Sequence, residues 1–470
     1  MTPKHRTRMT YLSILATIII FACQAGAADP TATPLPAPTA VPTNTAEAPT
    51  PEPTDVPAPT EAPAVPPTTG ENIITIDQVH GFFDIYDSLN VVGLVTNNTT
   101  RAVDNIEIEV EIFDANDVSL YVDTIYVDLF ALLPGETSPF SIYVFEDLPD
   151  ADNFVATVVG NSATEIERAT LDVANTIMAF DDDGNIHITG ELTNNTNDPV
   201  DINSLAAAVF DGAGEIVASD SYNSTIRYLD PGESGPFRVT ITGPNTGTAD
   251  ITDFQLYLDA EYTDAVGPFN IEIGDAIYYF DTFDNLHLVG QLTNQSDMTW
   301  NIRLVAGIYD AEGNVVDVAH VDLPINALAP GESSPYDFDF WGALDSTVAL
   351  QDQVASYTYS IQVDAYWTWD TDTELLDLAT ANDTNEFDDF GGEFNGQVVN
   401  NTGGLIDSVV VIVYLVDKET NTIVAVDYTY LFEEIQDGAS LDYTVYMDPK
   451  EGFDINTAEY YIVVKGERPQ

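Results

Sequence analysis

The chain has 470 residues, with 78 acidic against 12 basic side chains and a formal charge of −66 at neutral pH. That length has room for three or four domains of ordinary size. A surface so uniformly negative repels nucleic acid and anionic headgroups, and suits cations, basic partners or a high-salt milieu. One cysteine, Cys23, excludes an intramolecular disulfide, and the abundance of patterned Val, Ile, Leu, Phe and Tyr excludes reading the acidity as disorder.

At the amino end, Lys4, Arg6 and Arg8 precede the apolar run "YLSILATIIIFA" from Tyr11 to Ala22. Spanning a bilayer takes roughly 20 residues, so residues 1–22 read as a signal peptide. The run closes on Ile20-Phe21-Ala22-Cys23, which resembles the lipobox of bacterial lipoproteins. The resemblance implies cleavage before Cys23, a diacylglyceryl group on its sulfur, and an extracytoplasmic protein anchored to the cell membrane by that lipid. A cut after Ala25–Ala27 would instead release a secreted protein, and an uncleaved leader would itself be an anchor. Residues 23–70 form a Pro/Thr-rich stalk, in which residues 28–70 hold 13 of the 27 prolines. Proline fixes φ and lacks a donor, so neither helix nor sheet forms there. Such a linker is a semi-rigid spacer of roughly 3.1 Å per residue that holds a folded cargo off a surface.

From residue 71 the text becomes periodic. "NVVGLVTNNTT", "NIHITGELTNNT", "NLHLVGQLTNQS" and "EFNGQVVNNTG" share glycines at 93, 190, 290 and 396, which lie 97, 100 and 106 residues apart. "LLPGETSPF", "LDPGESGPF" and "LAPGESSPY" follow later in the first three units, and the fourth has the eroded version "QDGASLDY" from Gln436. Fixed-interval phrases mark units of architecture. The units are 71–170, 171–268, 269–372 and a divergent 373–470. Ile106, Ile108, Val110 and Ile112 alternate with Glu107, Glu109 and Glu111, the period of an antiparallel strand with one wet face. Pro134-Gly135, Pro231-Gly232 and Pro330-Gly331 suit a type II turn. The aromatic after each, Phe140, Phe237 or Tyr336, is expected in the core. The fold class is therefore all-β: four tandem immunoglobulin-like antiparallel β-sandwiches, each with its own core. Between the phrases lie "VEIFDAND", "AAVFDGAG" and "AGIYDAEG". This order of motifs, with Phe113-Asp114, Phe210-Asp211 and Tyr309-Asp310, resembles the FxLYD-type domain, a small β-sandwich of bacterial surface and secreted lipoproteins. The resemblance implies a fold and an extracytoplasmic address, and brings no catalytic residues.

No GxSxG, HExxH, GxGxxG or P-loop is present, and the chain reads as a non-enzyme. Alternation places His187 and His287 on a wet strand face, one per unit, too few for a metal site. The Asp-rich turns offer the only metal candidate: Asp181, Asp182 and Asp183, then Asp281 and Asp284, are the oxygens a calcium ion would take. Asp is equally the natural residue of tight turns, and no cofactor is required. Trp367 and Trp369, in "AYWTWDTD", are the candidate platform for a sugar or protein ligand, against a packing role at the junction with the fourth unit. The sequence thus points to a monomeric surface lipoprotein that displays tandem modules to an unidentified partner. The alternative is a secreted carbohydrate- or protein-binding adhesin.

Overall fold

The computed structural model describes residues 73–181, 183–222, 226–248, 250–264, 270–281, 285–340, 354–363, 375–388, 391–450 and 453–469. Cys23, Asp182, Asp284, Trp367 and Trp369 lie outside them. The first unit contributes β1 (Ile74–Phe83), β2 (Leu89–Asn97), β3 (Val103–Asp114), β4 (Ser119–Tyr126), β5 (Ala131–Leu132), β6 (Thr137–Val144) and β7 (Ala151–Ala163). The second contributes β8 (Asp172–Phe180), β9 (Ile186–Thr193), β10 (Val200–Asp211), β11 (Ile216–Tyr222), β12 (Tyr228–Leu229), β13 (Ser234–Ile241) and β14 (Ile251–Tyr262). In the third are β15 (Ile271–Ile273), β16 (Ile277–Phe280), β17 (Leu286–Asn294), β18 (Ile302–Tyr309), β19 (Val315–Asp322), β20 (Ser333–Phe340) and β21 (Ser356–Val363). The fourth holds β22 (Leu376–Asp377), β23 (Ala379–Asp388), β24 (Gly391–Val399), β25 (Ser408–Asp417), β26 (Ile423–Leu431), β27 (Ser440–Met447) and β28 (Ala458–Glu467). The only helical element among the described residues is a 3-10 turn, Ile455–Thr457.

Every pairing is antiparallel, and each unit is a sandwich of two sheets. The minor sheets are β1-β2-β6, β8-β9-β13, β15 and β16 with β17 and β20, and β23-β24-β27. The major sheets centre on β3, β10, β18 and β25.

The repeated phrases meet each other across these sheets. Gly93 pairs with Phe140, Gly190 with Phe237, Gly290 with Tyr336 and Gly396 with Tyr443. A Cβ on any of these glycines would lie within 2.4 to 2.7 Å of the opposite aromatic side chain. The glycine is thus the seat of the aromatic, and the rings are 0–3 % exposed. Full burial of such a ring is worth roughly 1.5–3 kcal/mol. The first Asn of each "NN" or "NQ" pair (Asn97, Asn194, Asn294 and Asn400) is fully buried. Its side-chain amide donates to the carbonyl of Leu132, Leu229, Leu328 or Ile435 at 2.6–2.9 Å. Its own carbonyl accepts the N–H of Gly135, Gly232, Gly331 or Gly438. Those glycines have φ of 77–84°, as a type II turn requires. One phrase therefore latches the other shut.

The four sandwiches do not stand apart. The strand β10 carries Leu205, Ala207 and Val209 into the second unit's core, while its opposite face sends Ala206 and Ala208 into the core of the first. Likewise Val305 and Val318 of the third unit join the second core, and Val410, Ile412 and Val426 of the fourth join the third. The first three minor sheets are each covered on their outer face by the next unit's major sheet. Each unit keeps a core cluster of its own, but the first three cores also take in residues of the following unit, so the expectation of independent modules is corrected to sandwiches joined through shared layers.

Candidate functional sites at the three junctions

Each junction is closed by the glutamate of the Pro-Gly-Glu turn. One oxygen of Glu136, Glu233 and Glu332 accepts a backbone N–H of its own turn, from Leu133, Asp230 and Ala329, at 2.7–3.0 Å. The same carboxylates are tied to the following unit. Glu136 accepts at 3.0 Å from Arg168, which ends the first unit by bridging to Glu261 of the second and pairs with the buried Asp259 there. Glu332 pairs with Lys465, which also meets Asp377 at 2.8 Å. Glu233 lies 3.5 Å from the Ser360 hydroxyl, which in turn accepts from Gln362. At the first two junctions the last strand of the major sheet reads the preceding unit's backbone. Asp259 accepts the Ala131 N–H while Arg168 donates to the Ala131 carbonyl. At the next junction the Gln362 amide does both, accepting from the Arg227 and Tyr228 N–H groups and donating to the Tyr228 carbonyl. The fourth unit has Ala439 where the others have this glutamate, and no described unit follows it.

The junction interiors are polar in places. At the first, Asp128 accepts from Ser221 at 3.1 Å, and its other oxygen is buried without a partner. Burial, then Asp220 nearby, pushes Asp128 up to about 8, and burial lifts Asp220 to about 6. At the second, Arg238 meets the fully buried Asp317 at 2.5 Å. His187 bonds Asp181 and Thr240, both at 3.1 Å, and Pro236 seats on Gly307, where a Cβ would meet it at 2.7 Å. At the third, His287 bonds Asp337 at 3.0 Å, lies 3.4 Å from Asp281 and stacks on Tyr279. Burial pulls that imidazole down. The Asp337 hydrogen bond and the charges of Asp337, Asp339 and Asp281 outweigh it and raise it to about 9. Across the junction, burial pushes Asp427 up to about 7.

His187 and His287 are therefore not on a wet face. They are 5 % and 9 % exposed, because the outer faces of the second and third minor sheets are interfaces. They share a role with Asn90 of the first unit. Each clasps the Asp six residues earlier, Asp84, Asp181 or Asp281, whose other oxygen accepts backbone N–H groups of the hairpin turn. Asp181 and Asp281 thus serve as turn clasps with both oxygens engaged, and Asp183 sits in the same turn. Among the described residues no group of three or more His, Cys, Asp or Glu has metal-binding geometry. Sequence reasoning missed Glu136, Glu233 and Glu332 as junction residues, together with Arg168, Gln362 and Lys465. The available signal was the loss of Ile/Glu alternation after the first unit: β10 reads "LAAAVF" and β25 reads "VVVIVYLV", each strand buried on both faces.

Fold and junctions together define a tandem β-sandwich array. No family model and no curated protein sequence matches the chain. Among solved structures it is similar to a cryo-EM reconstruction of native E. coli alpha-2-macroglobulin, with 10% identity and a TM-score of 0.13. The match covers 83% of this chain and 28% of that one. No helix among the described residues is long and apolar enough to cross a membrane.

Proposed function

We propose that this protein is a non-enzymatic surface lipoprotein, tethered through Cys23 and a Pro/Thr-rich stalk. Its four FxLYD-like sandwiches act as one stiffened element for presentation or binding. The observation that carries this reading is the set of staples at Glu136, Glu233 and Glu332. A chain of independent modules needs none, whereas an element that must keep its form under load or on binding does. Lipid at Cys23 supplies attachment, and the acidic surface keeps the array soluble and apart from anionic headgroups. Expression of the precursor in a bacterial host tests the attachment. The expected result is a membrane-associated product with an acylated amino-terminal peptide, released to the medium by Cys23→Ala. A soluble, unacylated product beginning after Ala27 would sink it in favour of the secreted alternative.

A further inference from the structure

The major-sheet face that is covered in units two to four is uncovered by any described residue in unit one. The three covered faces present small or apolar side chains to their neighbour: Ala206 and Ala208 in β10, Val305 and Gly307 in β18, Val410 and Ile412 in β25. In β3 the matching row is Glu107, Glu109 and Glu111. Glu111 lies between Val122 of β4 and Val155 of β7, Glu109 lies between two threonines, and Glu107 lies beside Tyr126. Val122, Val155 and Tyr126 are 51 %, 42 % and 62 % exposed. This is a face of a four-stranded sheet with apolar flanks and an acidic spine.

The outer face of the fourth minor sheet, also uncovered by any described residue, offers a contrast. Its polar side chains satisfy one another. Gln397 donates to Asp442, Thr444 to Asn395, and Asn395 to Glu393, at 2.6–2.7 Å. The Glu107, Glu109 and Glu111 carboxylates have no hydrogen bond or ion pair among the described residues. The strands β3, β4 and β7 contain no Lys or Arg. Like charges aligned along one strand face repel, and large exposed apolar side chains beside them gain nothing from water. Both defects are removed by one kind of partner. Its basic side chains must recur every second residue, to face the glutamates, and it must bring apolar or Thr-like surface to the flanking rows. A second copy of this chain does not fit, because its own terminal face is acidic and already paired.

We propose that the outer face of β3, β4 and β7 is a docking surface for an extended or sheet-forming cationic polypeptide with Lys or Arg at alternate positions. It takes the place that the preceding sandwich occupies at the three internal junctions. The test uses the full mature chain and a fluorescent dozen-residue peptide alternating lysine with valine and threonine, titrated by anisotropy at moderate salt. The expected result is saturable binding, weakened roughly tenfold or more by Glu109→Lys with Glu111→Lys. Glu393→Lys with Asp442→Lys, the same charge change at the far end, should leave it within about twofold. A peptide of the same composition with its lysines in one block should bind more weakly. Glu109→Gln with Glu111→Gln provides a milder variant, and circular dichroism checks that each variant is folded. No binding, or equal weakening by the two charge-reversal pairs, overturns the proposal; the latter would mean that attraction comes only from the bulk charge.

Discussion

His187 and Gly232 separate what a side chain does from what a backbone angle does. Gly232 has φ of 80° and open space where a Cβ would go. Gly232→Val therefore meets no clash, and is penalised by about 1–3 kcal/mol through strain alone. His187→Ala is expected to cost a similar amount, because it strands Asp181 and Thr240 in a buried junction. A melting series on both variants checks this, and an unchanged midpoint for His187→Ala would restore the wet-face reading. Asp128 carries the pH dependence. Its folded value, about 8, lies above its ordinary one, as do those of Asp220 and Asp427 at about 6 and 7. The folded protein therefore holds protons that the unfolded chain releases above pH ~4. The stability linked to these groups is greatest on the acid side and declines as pH rises toward 8. His287, raised to about 9, works in the same sense: its contribution is full below the ordinary imidazole value and fades as pH climbs through about 9. The hairpin carboxylates Asp114 and Asp211, held low by backbone N–H groups, lose their contribution only as pH falls below about 4. Thermal melts should therefore give a higher midpoint near pH 5 than near pH 8.5. Asp128→Asn should flatten that slope and stabilise the protein at pH 8 by on the order of 1–2 kcal/mol.

Strands β3 and β10 show how far an element can be judged from its letters. In β3 the Ile/Glu alternation declares both the strand and its exposed face. The Gly, Pro-Gly and aromatic positions were equally legible, since each answers to a local steric rule. In β10 the pattern "LAAAVF" is equally diagnostic of two buried faces, yet nothing local says what covers the second one. For the same reason His187 and His287 were legible as members of a strand and illegible as junction residues. What buries them is the major sheet of the following unit, which no local pattern announces. The Asp turns were legible as turns because the carboxylate closes its own loop. A fragment of residues 171–268 bares two junction faces, the small apolar one of β10 toward the first unit and the polar one of β9, with His187 and Thr189, toward the third. By sedimentation and melting it should be self-associating or less stable than a fragment of residues 71–268, which keeps one junction. A monomeric single unit as stable as the pair would mean that the junctions contribute nothing to folding.

Across the whole molecule, charge and stacking oppose each other. Self-repulsion at −66 loosens any compact state, and the array answers by spending its few cations where layers meet: Arg168, Arg238 and Lys465 all sit at junctions. Units coupled only through nearest-neighbour faces behave as a one-dimensional array in which each junction adds its own increment. Ala439 then has a meaning for descent as well as for packing. Units two and three carry a receiving face and a donating glutamate, so a gene duplication that copied either would insert without leaving a carboxylate or a lysine unmatched. A copy of the fourth unit placed inside the array would present Ala439 to a neighbour that expects an acid, and growth by duplication would falter at that seam. The second and third units are thereby repeatable words, and the fourth, with Ala439 in place of the glutamate, is not.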